Sequence, residues 1–174
     1  MLLNSLQGFE VYKMTKNYFE LIDDNIFQFE TVKQFFEDRN DIYILGTVEE
    51  IRNNMLQPVT DYKEVKKYVQ SLSIKPNLYG LYVRENPGGK WKLHYIGQRK
   101  SGQMTSRLRE HLYKKDKRTG SKLHKIEEAH KKNVQIGIKL FQVVPDQLRH
   151  YYEERLIQNF ELEWNNHKHK INKL

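Results

Sequence analysis

The sequence predicts a small α/β fold of the α+β type, in which a three-stranded antiparallel sheet is flanked by helices and preceded by a mixed N-terminal extension. Two aromatic, β-branched runs within residues 78–98 are joined by Asn-Pro-Gly-Gly, which is typical of a β-hairpin. Downstream, segments with helical periodicity surround one run of alternating apolar residues, which indicates a third strand. A chain of 174 residues has room for one well-packed domain and an added segment.

The N-terminal extension is predicted to cover residues 1–77 and to mix helices with one strand. The sequence "SIKPN" ends its last helix, so we place the boundary there and assign residues 78–174 to the second domain. DNA recognition and oligomerisation both stay open as roles for the extension. Its predicted elements are the helices "TKNYFELIDD", "ETVKQFFEDRN" and "TDYKEVKKYVQSL" and the strand "DIYILG".

The second domain is predicted to have the order β-β-α-α-β-α, followed by a basic tail. The hairpin strands are "LYGLYVRE" and "KWKLHYIG", and "VQIGIKLFQVV" alternates as a strand should. The last helix starts near Pro145, a residue that suits a first helical turn. The helical segments are "TSRLREHLYKK", "SKLHKIEEAHKK" and "PDQLRHYYEERLIQNF".

Composition excludes several classes of protein. The chain has no cysteine, so disulfides, thiolate zinc sites and cysteine nucleophiles are ruled out. No apolar run reaches the length of a membrane span, and the first residues lack the features of a signal peptide, so we expect a cytoplasmic protein without a membrane partner.

The positive charge is concentrated in the second domain. Residues 1–75 carry 9 basic and 12 acidic side chains, whereas residues 76–174 carry 21 and 10, a net charge of +11. Such a surface favours a polyanionic partner, because each Lys or Arg that neutralises a phosphate releases counterions. A merely solvated surface is the alternative explanation of the charge.

A few polar residues fall where packing does not require them. Strand register could bring Tyr82 and Tyr95 to one face of the hairpin. Arg107 and His111 are four apart and therefore project from one side of a helix. Glu153 lies off the apolar stripe of the last helix. Taken singly, each has a structural explanation: packed tyrosines, a solvated helix face, or a Glu153–Arg149 pair.

Taken in order, these residues resemble the GIY-YIG nuclease family. The resemblance covers residues 79 to about 166, roughly half of the chain. Gly80-Leu81-Tyr82 is similar to the first motif, with Leu for Ile, and Tyr95-Ile96-Gly97 matches the second. Downstream, the family's helical Arg, the His of some restriction-enzyme members, the Glu and the Asn correspond to Arg107, His111, Glu153 and Asn165.

The resemblance implies an Mg²⁺-dependent endonuclease that cleaves DNA to 5′-phosphate and 3′-hydroxyl ends, most like a type II restriction endonuclease. Glu153 would hold the metal and Arg107 would stabilise the charge on phosphorus. Tyr82 would be the general base, its pKa lowered by nearby positive charge, while Tyr95 and His111 would orient water and phosphate or share the proton. Whether Tyr82 or His111 is the base stays open. Asn165 would be structural, anchoring the last segment.

The implied partners follow from the same family. DNA would bind basic residues after the second motif, and a restriction enzyme that cuts a palindrome commonly acts as a homodimer beside a cognate DNA methyltransferase. The alternatives are a structure-specific or single-strand nuclease and a non-catalytic nucleic-acid-binding protein of the same fold. The candidate DNA-binding residues are Arg99, Lys100, Arg109, Lys114, Lys115 and Lys122.

Overall fold

Four antiparallel strands and four helices make up the described part of the chain, residues 25–47, 62–86, 88–112, 125 and 134–165 of a computed structural model. Short 3₁₀ turns precede and follow the last helix, at Asp146–Leu148 and Glu163–Asn165. In chain order the elements are α1 (Asn25–Glu37), β1 (Tyr43–Thr47), α2 (Tyr62–Ser71), β2 (Leu78–Arg84), β3 (Lys92–Gln98), α3 (Met104–Leu112), β4 (Gln135–Phe141) and α4 (Arg149–Asn159).

The sheet has the order β1-β4-β2-β3, so it contains four strands and not the predicted three. The α+β class, the β2–β3 hairpin and the three strands of the second domain are confirmed. The fourth strand comes from the N-terminal segment and pairs with β4, far along the chain. Local sequence predicts that β1 is a strand, but its partner depends on tertiary packing, which the alternating pattern does not encode.

Two apolar clusters cover the two faces of the sheet. The first cluster joins β2 and β3 to α2 and α3, with Val65 and Leu108 at its centre. The second cluster joins the other face to α1 and α4, with Phe36 and Leu156 buried in it. Both N-terminal helices are therefore part of the core. The sequence predicts a boundary after residue 77. Within the described residues, the segments before and after this position instead share the same apolar clusters.

A β-bulge between β2 and β3 determines which tyrosines share a face. Leu81 pairs with Tyr95, but the next residue of β2, Tyr82, pairs with Leu93. This irregularity leaves Tyr95 in the first cluster and places Tyr82 in the second. The prediction that Tyr82 and Tyr95 lie on one face is wrong, because side chains of neighbouring strand residues point to opposite faces and Tyr82 follows Leu81 directly.

The described helices overlap the predicted ones, although α1 begins several residues before "ETVKQFFEDRN". The last helix begins at Arg149 and not near Pro145 as predicted, because a 3₁₀ turn occupies Asp146–Leu148. Two predicted helices, over residues 15–24 and 121–132, lie outside the described residues except for Lys125. Among the helices that are described, none combines the length and the apolar character of a membrane span.

Asp146 connects the loop after β3 to the start of α4. Its carboxylate accepts hydrogen bonds from the Ser101 backbone N–H (3.0 Å), the Ser101 hydroxyl (2.7 Å) and the Asn77 amide (3.0 Å), and it pairs with Arg149 at 2.6 Å. Burial opposes the charged form, but the bonds from Ser101 and Asn77 and the charge of Arg149 outweigh it and lower the pKa of Asp146 to about 2.

Asp146→Asn is expected to destabilise the protein in a pH-dependent way. Because the folded-state pKa is depressed, the stabilisation is complete above the unfolded value near 4 and is lost as the pH falls toward 2. Urea unfolding should show a loss of about 2 kcal/mol at pH 7 that shrinks steadily below pH 4. Glu64→Gln, on the exposed face of α2, is the control and should change little at any pH. A loss that stays constant with pH would contradict this role.

Candidate active site

The Tyr79 hydroxyl is the centre of a buried polar cluster on the first face of the sheet. It lies 2.6 Å from Nε2 of His111, and Nε of Arg107 donates a hydrogen bond to it at 3.2 Å. The Tyr95 ring completes the group, with centroid distances of 5.8 Å to Tyr79 and 5.2 Å to His111. Tyr79 and His111 are fully buried.

Helix α3 brings Arg107 and His111 to the same hydroxyl. The two residues are four apart, so their side chains project from one side of the helix, as the sequence predicts. The adjoining apolar stripe of α3, formed by Met104, Leu108 and Leu112, is buried in the first cluster and holds the helix against the sheet. Apolar packing therefore sets the position of the polar group.

Gly97 leaves the space that the two tyrosines occupy. It pairs with Tyr79 across the hairpin, and a Cβ atom at this position would lie 2.4 Å from the Tyr79 hydroxyl and 2.7 Å from Cε1 of Tyr95. No real Cβ atom approaches other atoms this closely, so a side chain here would displace the rings. The glycine of the second motif is required by this close approach.

Burial controls the protonation of both candidate bases. Burial, together with Tyr95, raises the pKa of Tyr79 well above its ordinary value, and the charge of Arg107 opposes this without overcoming it. Burial likewise raises the pKa of Tyr82, against the charge of Arg39. The expectation that positive charge lowers the pKa of the general base is thus not met in the protein alone. Either phenol is protonated at neutral pH.

The Tyr79 hydroxyl interacts with Arg107, His111 and Tyr95, which limits where its proton can point. Arg107 can only donate, so it occupies a lone pair of the phenol oxygen. The phenol proton can then be donated to Nε2 of His111, provided that the imidazole carries its own proton on Nδ1. The pattern allows this tautomer but does not fix it, because Tyr95 is also a hydrogen-bond partner of the Tyr79 hydroxyl. The arrangement lets Tyr79 pass its proton to His111.

Arg107 is also held by an acidic side chain. Its Nη1 atom donates to Glu110 at 2.9 Å, and both side chains are mostly shielded from solvent. Burial disfavours the charge of Arg107, but Tyr79 and Glu110 outweigh burial and raise the pKa of the guanidinium. Arg107 is therefore a fixed cation at the edge of the cluster.

Glu153 lies on α4, the helix that packs beside β3, and is 6% exposed. It follows Arg149 and His150 by one turn, and both of these residues contact Gln98 of β3. No group of three or more acidic or histidine side chains suited to a metal occurs in the described part of the chain. A single buried carboxylate fits Mg²⁺, which keeps most of its water ligands and does not require a protein cage.

Asn165 anchors the last described segment to the edge strand of the sheet. Its side-chain oxygen accepts a hydrogen bond from the Ile96 N–H at 3.1 Å, and its amide donates to the Ile96 carbonyl at 2.9 Å. Trp164, next to it, packs in the first cluster. These contacts satisfy the outer backbone groups of β3 within the second motif, which is the anchoring expected for this residue.

A basic cleft of about 600 Å³ opens beside the cluster. Arg99 and Lys100 lie in it, as expected of candidate DNA-binding residues, whereas Arg109 is exposed on α3 outside it. Lys114, Lys115 and Lys122 lie outside the described residues. The lining residues are Gln98, Arg99, Lys100, Gln103, Arg107, Glu110, Arg149 and His150.

The structure brings together Tyr95, Arg107 and His111 from the predicted set, but with Tyr79 in place of Tyr82. The Tyr82 hydroxyl instead donates to the Phe36 carbonyl at 2.7 Å on the opposite face. The tyrosine of the first motif could also be read three residues earlier, as Asn77-Leu78-Tyr79. Tyr79 and Leu81 are two apart and share a face of the sheet, and Leu81 pairs with Tyr95, so Tyr79 and not Tyr82 lies on the face of Tyr95. Gln98, Arg149 and His150 were also not predicted, and no motif marks them.

Comparison with models of known protein families, with curated proteins and with solved structures finds no match for this chain. Its fold is α+β with a four-stranded antiparallel sheet, and its candidate site combines a buried Tyr–His–Arg cluster with a basic cleft.

Proposed function

We propose that this chain is an Mg²⁺-dependent endonuclease that hydrolyses DNA to 5′-phosphate and 3′-hydroxyl ends. The observation that carries the proposal is the Tyr79 hydroxyl, held between a proton acceptor and a guanidinium beside a cationic cleft. Hydrolysis of a phosphodiester requires removal of a proton from water and neutralisation of charge on phosphorus. The cluster contains a side chain suited to each requirement.

Tyr79 takes over the role that the resemblance to GIY-YIG nucleases gave to Tyr82. A protonated phenol is a poor base, and Tyr79 is fully buried, so the relay requires water to reach its hydroxyl past Arg107 when DNA binds. Tyr79 then transfers its proton to His111 Nε2 while it accepts one from the attacking water. Of the two residues between which the sequence left the base undecided, this relay uses His111 and leaves out Tyr82. Tyr95, packed against both rings, keeps them in position.

Arg107 and Glu153 supply the electrostatic part of the mechanism. Arg107 faces the cleft, where its planar donors stabilise the charge that develops on the phosphate oxygens. Glu153 would hold Mg²⁺, which supplies Lewis-acid stabilisation of the phosphate and the leaving oxygen when bound. Glu153 does not line the cleft, and Glu110, the carboxylate that does, is paired with Arg107, so the role of Glu153 as metal ligand rests on the family resemblance.

Within this class, a type II restriction endonuclease is the favoured assignment, acting as a homodimer beside a cognate methyltransferase. It is supported by the Arg107–His111 spacing, since both side chains meet on one hydroxyl. Cleavage of unmethylated duplex DNA at fixed sites would support it. Preference for single-stranded or branched DNA would instead identify a structure-specific nuclease.

Non-catalytic nucleic-acid binding is the second candidate function. The Arg107–Glu110 pair favours it, because a guanidinium already bound to a carboxylate stabilises the transition state less, while Arg99 and Lys100 still offer charge to the DNA backbone. Stable binding of DNA without cleavage would be its signature.

The test compares two adjacent glutamates of α4 in DNA cleavage with Mg²⁺. Glu153→Gln should lower the cleavage rate by about 100-fold or more, because the only proposed metal ligand is lost. Glu154→Gln, at an exposed position, is the matched control and should cleave normally. EDTA should abolish cleavage in all proteins. Unmethylated plasmid and long phage DNA serve as substrates, so that rare sites are included.

The outcomes separate the two candidates. A wild-type protein that binds but never cuts DNA overturns the nuclease and leaves the binding protein. Equal cleavage by both variants would remove Glu153 from the mechanism.

A further inference from the structure

Three side chains at the outer end of the basic cleft form a closed hydrogen-bonded triangle. Arg149 Nε donates to Gln98 Oε1 at 2.9 Å, and Gln98 Nε2 lies 3.2 Å from Nδ1 of His150. The third side joins Arg149 Nη2 to His150 Nε2 at 3.1 Å. Both ring nitrogens of His150 therefore face a hydrogen-bond donor.

This triangle contains more donors than acceptors. A neutral imidazole has one N–H and one acceptor nitrogen, and a protonated imidazole has no acceptor. Whichever tautomer His150 adopts, one N–H of the ring points at an N–H of Gln98 or Arg149. Rotating the Gln98 amide does not help, because its NH₂ group would then face Arg149 Nε. At least one of these contacts is therefore not a hydrogen bond, and because both contacts of His150 are exposed, water or a ligand supplies the acceptor.

Arg99, in the same cleft, also has a hydrogen-bond donor for which the described part of the chain supplies no acceptor. Its Nε atom is buried and has no hydrogen-bond partner among the described residues. Arg99 and Lys100 also form no ion pair within the described ranges, although both line the cleft. A buried donor without an acceptor is costly, so this region is completed by a ligand that carries acceptor oxygens and negative charge.

The geometry points to a second phosphate-binding site formed by Gln98, Arg99, Arg149 and His150. Because it shares the cleft with Arg107, it receives the phosphodiester next to the scissile one on the same DNA strand. This inference rests on the proposed function, in which Arg107 binds the scissile phosphate. Asp146 fixes the site by holding both Arg149 and the loop at Ser101.

The first experiment counts phosphate contacts from the salt dependence of DNA binding. The full chain is titrated with a fluorescent duplex in EDTA over a range of NaCl concentrations, so that binding is measured without cleavage. The slope of log K against log[NaCl] is negative, and each lost contact reduces its magnitude by about 0.9. Arg99→Gln should lose one such step, and Arg99→Gln with Arg107→Gln should lose two, since the two residues bind different phosphates. Lys92→Gln, at the far end of β3, is the charge-matched control and should leave the slope unchanged.

The second experiment adds the missing acceptor to the protein itself. Gln98→Glu places a carboxylate between Arg149 and His150, so it should raise the thermal unfolding midpoint and weaken DNA binding at the same time. A side chain with a purely structural role would move affinity and stability in the same direction or leave affinity unchanged.

The results distinguish this site from the nuclease itself. If Arg99→Gln keeps the wild-type slope, or Gln98→Glu binds DNA as well as the wild type does, the second site is overturned while cleavage stands. If both variants behave as expected but the wild type never cuts, the site survives and the nuclease assignment fails. Absence of DNA binding by the wild type overturns both.

Discussion

Tyr79→Phe will lower DNA cleavage by about 10² to 10⁴-fold, whereas Tyr82→Phe will cleave within a few-fold of the wild type. The two substitutions remove the same atom from two fully buried tyrosines of one strand. They differ in what the hydroxyl contacts, since the Tyr79 hydroxyl meets His111 and Arg107 while that of Tyr82 meets a backbone carbonyl. Rates are compared under single-turnover conditions with Mg²⁺.

Tyr82→Phe will instead affect stability. Its hydroxyl donates to the Phe36 carbonyl, which also accepts a bond from Arg39, so the acceptor keeps one partner when the hydroxyl is removed. We expect a loss of about 1 kcal/mol in urea unfolding. The reverse pattern, with cleavage lost in Tyr82→Phe and kept in Tyr79→Phe, would identify Tyr82 of Gly80-Leu81-Tyr82 as the general base.

Gly97→Ala will disable the site and destabilise the fold together. The added methyl group would lie 2.4 Å from the Tyr79 hydroxyl and 2.5 Å from its Cζ atom. Because Tyr79 is enclosed on all sides, relief requires movement of the ring or of β3 itself. We expect a loss of at least about 2 kcal/mol in free energy of unfolding and cleavage reduced by about 100-fold.

Gly88→Ala provides the matched control in the turn of the same hairpin. A Cβ atom there meets nothing within 4 Å, and the backbone does not require glycine. Its stability should stay within about 0.5 kcal/mol of the wild type. If Gly97→Ala were as mild as Gly88→Ala, the close packing of the two tyrosines against the glycine would be wrong.

The elements of this fold could be predicted locally, whereas their register could not. The turn sequence after β2 predicted the hairpin, and the apolar period of α3 predicted the helix that follows it. The four-residue spacing of Arg107 and His111 correctly placed both side chains on one side of that helix. These features depend on residues close in sequence. The anchoring role of Asn165 came from the family resemblance, and its partner, the Ile96 backbone of β3, was not predicted.

The choice between Tyr79 and Tyr82 required the structure. A bulge shifts the pairing by one residue between Leu81 and Tyr82, and no residue in the two strands marks its position in the sequence. The pairing of β1 with β4 and the position of Gln98 against α4 are likewise tertiary contacts between distant segments. A period of two residues identifies a strand but leaves its neighbours and its faces undetermined.

The bond between Tyr82 and Phe36 has a consequence for how this protein can be divided. The second tyrosine of "LYGLY" holds α1 against the back of the strand whose other tyrosine we assign to the chemistry. A fragment that began at residue 78 would lose β1 from the sheet and would expose the apolar face that α1 covers. The N-terminal segment is therefore not a module that could be exchanged to alter specificity, because the sheet that supports the candidate site is completed by it.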